Sequence, residues 1–247
     1  MENKALQQQL THKTVRHFTP EPLGADLIQQ LLSVAQHTAT SHYLQAFSVI
    51  TITDGSLRQQ IAQISKQSYV AGNGQLFIFV IDQHRVATFA QTPDLAVLGS
   101  ADKFLQGASD TLLAVQNTVN AAEKLGLGTV ILGSVLNDAQ RLIDLLHLPS
   151  LTFPIAGLIV GHPDQATQAK PRLPQALMSF ENHYALPDDS KLQLADYDQV
   201  IAEYYATRLT NRRSETFTHL LTKSATTTPA KRGELLQTLH AQGFLNE

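Results

Sequence analysis

The segment Leu76-Phe77-Ile78-Phe79-Val80-Ile81 is an uninterrupted run of apolar residues, preceded by turn residues at Gly72 and Gly74. A strand with one solvent-exposed face would alternate polar and apolar side chains, and this run does not alternate. We therefore expect a strand that is buried on both faces, inside the core of a mixed helix and strand protein.

Strands and helices are predicted in mixed order around this segment. Further strands are predicted at 47–53, 129–132 and 153–160. The longest helical pattern covers 101–125, because apolar residues recur there in steps of three and four, and Gly126 is placed to end it. Shorter helices are expected over 1–10, over 25–39, after Asp54, after Asn137 or Asp138, and from Leu192 to the end, the last of them from Thr228-Pro229 to Gly243. We assign 1–184 to an α+β core and 185–247 to a helical extension that packs on the core or on a partner subunit.

Composition limits the classes of function. The 247 residues carry 18 Lys and Arg against 21 Asp and Glu, a net charge of −3, which argues against a nucleic-acid binder. No apolar run is long enough to span a membrane, and the first residues show no secretory signal. Cysteine is absent, so disulfides, thiolate nucleophiles and Cys–zinc sites are excluded, and a cytoplasmic location is expected.

Familiar catalytic motifs are missing from the sequence. No G-x-G-x-x-G follows a strand, the spacing at Gly128–Gly133 lacks the lysine of a P-loop, and neither G-x-S-x-G nor H-E-x-x-H occurs. The ten histidines are scattered, so we expect no metal site.

Two short basic clusters remain as candidates for a phosphate site. In the stretch from His12 through Lys13 and Thr14 to Arg16, extended backbone would put His12, Thr14 and Arg16 on one face. In Lys170-Pro171-Arg172, proline holds the chain extended, so both cations share a side. Fixed cations of this kind bind phosphate well. The alternative is that both clusters are solvated loop charges.

Two further stretches could contact a flat ligand. Residues 38–45 are polar and include Thr40 and Ser41, whose hydroxyls could bind sugar or ring heteroatoms. Ile131-Leu132-Gly133-Ser134 ends a predicted strand with a glycine, which allows close approach to a backbone N–H. The alternatives are a helix cap followed by a loop, and a plain strand-to-loop turn.

Taken in order, these segments resemble the nitroreductase superfamily, and more closely the group of oxygen-insensitive NADPH nitroreductases and flavin reductase P. The resemblance extends from residue 10 to about residue 215. The segments that carry it are His12–Thr19, Ala39–Gln45 with Ser48–Ile50, Gln67–Val70, Gln116-Asn117 through Gly128, Leu132-Gly133, Leu145–Pro149, Gly157–Gly161, Lys170–Pro174, Glu181–Tyr184 and Tyr197–Arg208.

The resemblance implies an α+β fold with a mixed, largely antiparallel sheet, an interlocked homodimer and FMN at the subunit interface. By position, it implies that the FMN phosphate is held by His12, Lys170 and Arg172, that Thr14 reaches the ribityl chain, and that Arg16 and Gln67 meet the pyrimidine side of the ring. It also implies that Ile131 and Leu132 cover the inner face, that the Gly133 N–H lies near N5, and that Thr40 and Ser41 approach from the partner chain. Lys13 and Ser134 complete the implied FMN residues, and Arg208 and Arg212 match positions for the NADPH 2′-phosphate.

The implied activity is ping-pong hydride transfer from NADPH through FMN to nitroaromatics, quinones or similar flat acceptors. One alternative is a flavin reductase that releases reduced FMN, and another is a non-catalytic FMN-binding protein. The sequence also departs from the family pattern: Ser134 replaces a glycine, Leu136 stands where relatives carry arginine, and the loop from Arg208 to Arg212 is one residue shorter.

Overall fold

Among the residues that the structure describes, the strands form one four-stranded sheet. The computed structural model describes residues 3–209 and 211–246. The strands are β1 (Phe47–Ile52), β2 (Gln75–Asp82), β3 (Gly128–Leu132) and β4 (Thr152–Gly161), in the order β1-β2-β4-β3. Neighbouring strands all pair antiparallel, which confirms the predicted α+β class with a largely antiparallel sheet.

Helices precede, separate and follow the strands along the chain. They are α1 (Lys4–Leu10), α2 (Ala25–Gln36), α3 (Gly55–Ser65), α4 (His84–Phe89), α5 (Leu95–Gly99), α6 (Ala101–Lys124), α7 (Ala139–Leu146), α8 (Ser190–Thr207), α9 (Phe217–Thr226), α10 (Ala230–Gly233) and α11 (Leu235–Ala241). Short 3₁₀ turns lie at Ser41–Tyr43, Ser68–Ala71, Gly133–Asp138 and Gln175–Leu177.

The apolar run is β2, and it is buried on both faces as predicted. Leu76, Ile78 and Val80 belong to a core cluster that also contains residues of α3 and of the turn Gly133–Asp138. Phe77 and Phe79 point to the opposite face, into a second cluster with residues of α2 and α6. None of the five side chains is more than 2% exposed. Burial of each contributes about 1.5–3 kcal/mol to folding, which explains why an unpatterned run sits at the centre.

Helix α6 has the predicted length and the predicted end. Ser100 caps its first turn by accepting from the Lys103 N–H, and Gly126 follows its last turn with φ +79°. A side chain at Gly107 would meet Ile81 at 2.5 Å, so this glycine lets the helix approach β2 closely.

The regions around residue 90 and after residue 207 differ from the expectations. Two short helices, α4 and α5, lie where the sequence shows no long apolar pattern. The chain after Leu192 is helical only in pieces, and the expected last helix is broken between α10 and α11 at Glu234. The pattern of apolar residues continues across this break, so spacing alone does not reveal it.

The chain divides into two compact units. The sheet unit contains Met1–Ala166 and Pro229–Glu247, and the helical unit contains Thr167–Thr228. The expected division was 1–184 and 185–247; here residues 167–184 lie in the helical unit, and the chain from Pro229 onward belongs to the sheet unit. There Phe244 is fully buried, with its ring 5.4 Å from that of Phe104.

Candidate functional site

The first basic cluster lies along the edge of the sheet. Thr14 forms a parallel bridge with Thr129 of β3, and the Val15 N–H donates to the Thr129 carbonyl at 2.9 Å. Val15 is buried, whereas His12, Thr14 and Arg16 are each half-buried and Lys13 is exposed. The bridge to β3 agrees with the extended backbone that the sequence predicts, and within it Val15 is the residue turned into the core.

His12 is held by a carboxylate from α6. Its Nδ1 lies 2.6 Å from Oε1 of Glu123, and the Thr129 hydroxyl donates to the same oxygen at 2.9 Å. Glu123 lies in a segment that carries the family resemblance, but no sequence pattern pairs it with a residue 111 positions away.

The Arg16 guanidinium lies 5.9 Å from the centre of the Tyr69 ring. Tyr69 is in the turn that follows Gln67, and Gln67 itself is exposed. Arg16 therefore brings the first basic cluster and the Gln67 turn together. Within the part of the chain that the structure describes, no carboxylate forms an ion pair with Arg16.

Arg58 of α3 fixes the loop after Gln67, a role that the sequence did not suggest. Its guanidinium donates to the carbonyls of Val70 at 2.7 Å, Gly74 at 2.6 Å and Asn73 at 2.9 Å. Burial lowers the pKa of Arg58, although the group stays charged at any ordinary pH.

The end of β3 presents an open stretch of backbone. Ile131 is 43% exposed, whereas Leu132 is 1% exposed and belongs to the core. Of the two side chains expected to cover a ring, only that of Ile131 is available at the surface, because neighbouring residues of a strand point in opposite directions. A side chain added at Gly133 would meet nothing within 4 Å, so there is open space beside this glycine. Ser134, the next residue, is half-buried.

Arg232, from the returning end of the chain, binds this same turn. Its Nη2 donates to the Gly133 carbonyl, and its Nε donates to Oδ1 of Asn137 at 3.1 Å. Asn137 in turn donates to the Ser65 carbonyl at 3.2 Å. Arg232 was not among the predicted site residues, since it lies far from Gly133 in the sequence.

The polar loop that contains Thr40 and Ser41 is held at another point of α6. The buried carboxylate of Asp110 accepts from the Ser41 N–H at 2.8 Å and from the Ala46 N–H at 3.0 Å. Between them, His42, Tyr43 and Gln45 have φ values of 50°, 63° and 52°. Such left-handed backbone costs a non-glycine residue about 1 kcal/mol or more, so this loop has a specifically imposed shape.

Asp110 and Glu123 are 13 positions apart on α6, a separation of about 20 Å at 1.5 Å per residue. Within one chain, the anchor of the Ser41 loop is therefore far from the anchor of His12. The structure joins the segments around residues 14, 69 and 132, whereas the Ser41 loop is anchored on the first half of α6.

The second basic cluster and the predicted NADPH residues belong to the helical unit. Arg172 is exposed, and its Nη1 donates to the Lys170 carbonyl at 2.8 Å. The hydroxyl of Tyr197, whose pKa is raised by burial, donates to the Pro171 carbonyl at 3.2 Å and so helps to fix this stretch.

Three arginines gather at the end of α8. The Arg208 guanidinium lies over the Tyr205 ring at 5.4 Å, and the Arg212 Nε donates to the Arg208 carbonyl at 2.9 Å. Arg213, which the sequence analysis did not select, lies closer to the Tyr205 ring, at 4.2 Å, and also pairs with Glu215 at 3.2 Å.

Residues 3–209 and 211–246 contain neither a cluster of metal ligands nor a helix that could span a membrane. No three His, Asp or Glu side chains come together in a way that would hold a metal ion. No helix in these ranges combines the length and hydropathy that crossing a membrane requires.

Comparison with known proteins assigns the fold and the family. The chain matches the model of the nitroreductase family over residues 10–162 and that of the nitroreductase family C-terminal domain over residues 170–247. An NADPH-dependent oxidoreductase of Staphylococcus aureus (strain bovine RF122 / ET3-1) is 41% identical over 212 residues, which are 83% of this chain and 84% of that protein.

Solved structures show the same similarity. NfrA1 nitroreductase from B. subtilis has a TM-score of 0.93 and 31% identity, covering 99% of this chain and 100% of its own. NADPH:FMN oxidoreductase from Vibrio harveyi, complexed with NAD⁺, has a TM-score of 0.87 and 29% identity, covering 99% and 100%. The fold is that of the nitroreductase class of α+β enzymes. The chain belongs to the nitroreductase family and is an oxidoreductase.

Proposed function

We propose that this protein is an FMN-dependent oxidoreductase that takes electrons from NADPH and delivers them to flat, electron-poor acceptors such as nitroaromatics and quinones. The names of the relatives support the electron donor, since the Staphylococcus aureus protein is an NADPH-dependent oxidoreductase. The name of the Vibrio harveyi neighbour, NADPH:FMN oxidoreductase, supports the flavin. The acceptor class follows from the resemblance and from the NfrA1 nitroreductase neighbour.

One observation carries the proposal. Arg16, which forms no ion pair with any carboxylate of the described residues, lies at the same sheet edge as the open backbone of Gly133. An unneutralised guanidinium favours an anionic or electron-rich ligand. The donor set fits FMN, because His12, Lys13 and Arg16 suit a phosphate and a polarised ring, and the space at Gly133 suits a flat group.

In this proposal different residues of the sheet unit bind different parts of FMN. His12 and Lys13 hold the phosphate, Thr14 contacts the ribityl chain, and Arg16 and Gln67 bind the pyrimidine side of the ring. Ile131 covers the ring with its exposed side chain, and Leu132 contributes backbone only. The Gly133 N–H and Ser134 complete the set. Lys170 and Arg172 for the phosphate, and Arg208 and Arg212 for NADPH, remain predictions from the resemblance.

The protein's contribution is placement and charge. When bound, FMN supplies the two-electron chemistry that the side chains lack. Arg16 places a fixed positive charge beside the ring, which favours negative charge on that side. Ile131 keeps water from one face, and the N–H of Gly133 is fixed by the turn that Arg232 holds. No side-chain acid or base is assigned.

We further propose that the enzyme works as a homodimer. Thr40 and Ser41 were expected to reach the flavin from the partner chain. Their anchor on α6 lies about 20 Å from that of His12, so within one chain they are far from the phosphate end of the proposed site. The imposed shape of the loop suits a surface that is completed by a second copy.

The deciding experiment is an absorbance spectrum of the purified protein, followed by anaerobic titration with NADPH and with NADH. We expect a flavin spectrum that NADPH bleaches and that a nitroaromatic or quinone restores. A protein that neither contains nor takes up FMN contradicts the proposal. A bound flavin that neither nucleotide bleaches would identify a non-catalytic FMN-binding protein instead.

The second candidate is a flavin reductase that releases reduced FMN, and the similarity to NADPH:FMN oxidoreductase of Vibrio harveyi favours it. The two functions differ in how firmly the flavin is held. Flavin that stays with the protein through gel filtration supports the first function. Flavin that separates from it, with steady NADPH oxidation only when free FMN is added, supports the second.

A further inference from the structure

The contact between His12 and Glu123 has properties that a surface ion pair lacks. The Glu123 side chain is only 13% exposed, and that of His12 is 32% exposed. Because a carboxylate only accepts hydrogen bonds, the hydrogen in the 2.6 Å contact belongs to Nδ1 of His12. The ring is thereby fixed in orientation, and Nε2 is left as the nitrogen that a ligand can use.

We propose that Glu123 is a positioning residue of the phosphate subsite, acting through His12. This inference rests on the proposed FMN function. A phosphate oxygen is an acceptor, so Nε2 must donate to it, and the ring then carries hydrogen on both nitrogens. The carboxylate of Glu123 accepts from Nδ1 and balances the charge of that form. Thr129 keeps the carboxylate in place through its 2.9 Å hydrogen bond.

A purely structural role for the pair is the competing explanation. The first basic cluster is already tied to β3 by the Val15 N–H and by the Thr14 bridge. Val15 is itself buried against Gly128, where an added side chain would meet it at 2.8 Å. The segment therefore has its own attachment, and the pair is not required merely to hold the chain. A structural role would weaken every ligand equally, whereas a positioning role weakens only ligands that carry phosphate.

The test compares FMN with riboflavin, which has the same ring and ribityl chain but no phosphate. The full-length protein, stripped of flavin, is titrated with each by fluorescence quenching. Wild type is expected to prefer FMN. In Glu123→Gln we expect the Kd for FMN to rise about tenfold or more and the Kd for riboflavin to stay within about twofold.

A double-mutant cycle shows whether Glu123 acts through His12. In the His12→Ala background, Glu123→Gln should add nothing to the loss of FMN affinity. Glu21→Gln is the matched control, because Glu21 faces His162 at 3.9 Å and is 71% exposed. It should leave the preference for FMN unchanged.

The outcomes separate the inference from the function on which it rests. A wild type that binds no FMN overturns the proposed function. A wild type that prefers FMN, with a Glu123→Gln variant that keeps the same preference, overturns the inference alone. If Glu123→Gln does not fold, Glu123→Asp is used, since its shorter side chain draws the carboxylate away from His12 and should lose part of the preference. Proton–nitrogen NMR of the wild-type imidazole must also show hydrogen on Nδ1; its absence there contradicts the proposal.

Discussion

The guanidinium of Arg232 donates a hydrogen bond to the backbone carbonyl of Gly133, 99 positions earlier in the chain. It also binds Oδ1 of Asn137, and so holds both ends of the turn that follows β3. The last segment of the chain thereby fixes the backbone to which we assign the ring of FMN.

Replacing Arg232 with methionine is expected to loosen this turn. Two charge-assisted hydrogen bonds are lost, but the side chain is half-buried, so we expect the free energy of unfolding to fall by about 1–2 kcal/mol. NADPH oxidation should slow, because the Gly133 N–H is no longer held. Urea denaturation and steady-state rates measure both effects. Lys231→Met is the control, since Nζ of the exposed Lys231 donates to Glu234 at 3.0 Å. Equal behaviour of the two variants would show that the turn does not depend on Arg232.

Gly133 and Gly128 provide a matched pair of alanine substitutions. At Gly128 an added Cβ would meet Val15 at 2.8 Å, so Gly128→Ala should destabilise the protein by about 1–3 kcal/mol. At Gly133 it meets nothing within 4 Å, so Gly133→Ala should be neutral or slightly stabilising. Thermal denaturation of the flavin-free protein measures this difference.

The Gly133→Ala variant also tests whether FMN packs against this glycine. If a flat ring packs against Gly133, the added methyl group occupies part of its place. We therefore expect Gly133→Ala to weaken FMN binding although the fold is intact. FMN affinity equal to that of the wild type would exclude close packing of the ring at this glycine.

The fold was predictable where local pattern and burial agree. The run from Leu76 to Val80 fills two core clusters, one with each alternate side chain, as expected of a strand that is buried on both faces. The helix after Ser100 combines a cap, a long apolar stripe and a terminal glycine. By contrast, α4 has only six residues and no side-chain cap, so neither its length nor a capping residue predicts a helix there.

The site was predictable only in part, for a related reason. The cations of the first basic cluster stand close together in sequence, so their type and spacing suggest a ligand. The groups that orient the site do not: Glu123, Arg232 and Asp110 contact partners 111, 99 and 69 positions away. Pairs of that kind exist only once the sheet and α6 have formed, and a single sequence holds no local signal for them.

Arg16 is expected to govern both affinity for FMN and the rate of its reduction. Arg16→Ala removes the cation that lies against Tyr69, so FMN binding should weaken by about tenfold or more and bleaching by NADPH should slow. Arg16→Lys keeps the charge but loses the planar fork, and should give an intermediate result. Stopped-flow absorbance and flavin titration make the measurement. Unchanged flavin content together with an unchanged reduction rate would remove Arg16 from the site.

Asp110 is expected to determine the shape of the Ser41 loop. Asp110→Ala leaves the N–H groups of Ser41 and Ala46 without their acceptor, at about 1–3 kcal/mol each when buried. The strained backbone at His42 and Tyr43 then has less to hold it, so amide exchange at Ser41 should rise more than at residues of β2. Asp102→Ala is the control, because the Asp102 side chain is 81% exposed. Amide protection at Ser41 that survives in Asp110→Ala would contradict this role.

Asp54 is expected to give α3 a pH-dependent contribution to stability. Hydrogen bonds from the Leu57 N–H and from the Ser56 hydroxyl hold the pKa of Asp54 below its ordinary value of 3.8. Because the pKa is lower in the folded protein than in the unfolded chain, the contribution is fully present above the unfolded value and is lost as the pH falls through the folded one. The difference in unfolding free energy between wild type and Asp54→Ala should therefore be largest near neutral pH and should shrink in acid. Asp54→Asn keeps an oxygen that caps the helix but does not titrate, so its difference from Asp54→Ala should hardly change with pH. Urea denaturation of the three proteins at neutral and at acid pH makes the comparison. If the difference in unfolding free energy between wild type and Asp54→Ala is the same at both pH values, the ionised Asp54 carboxylate does not contribute to the stability of α3.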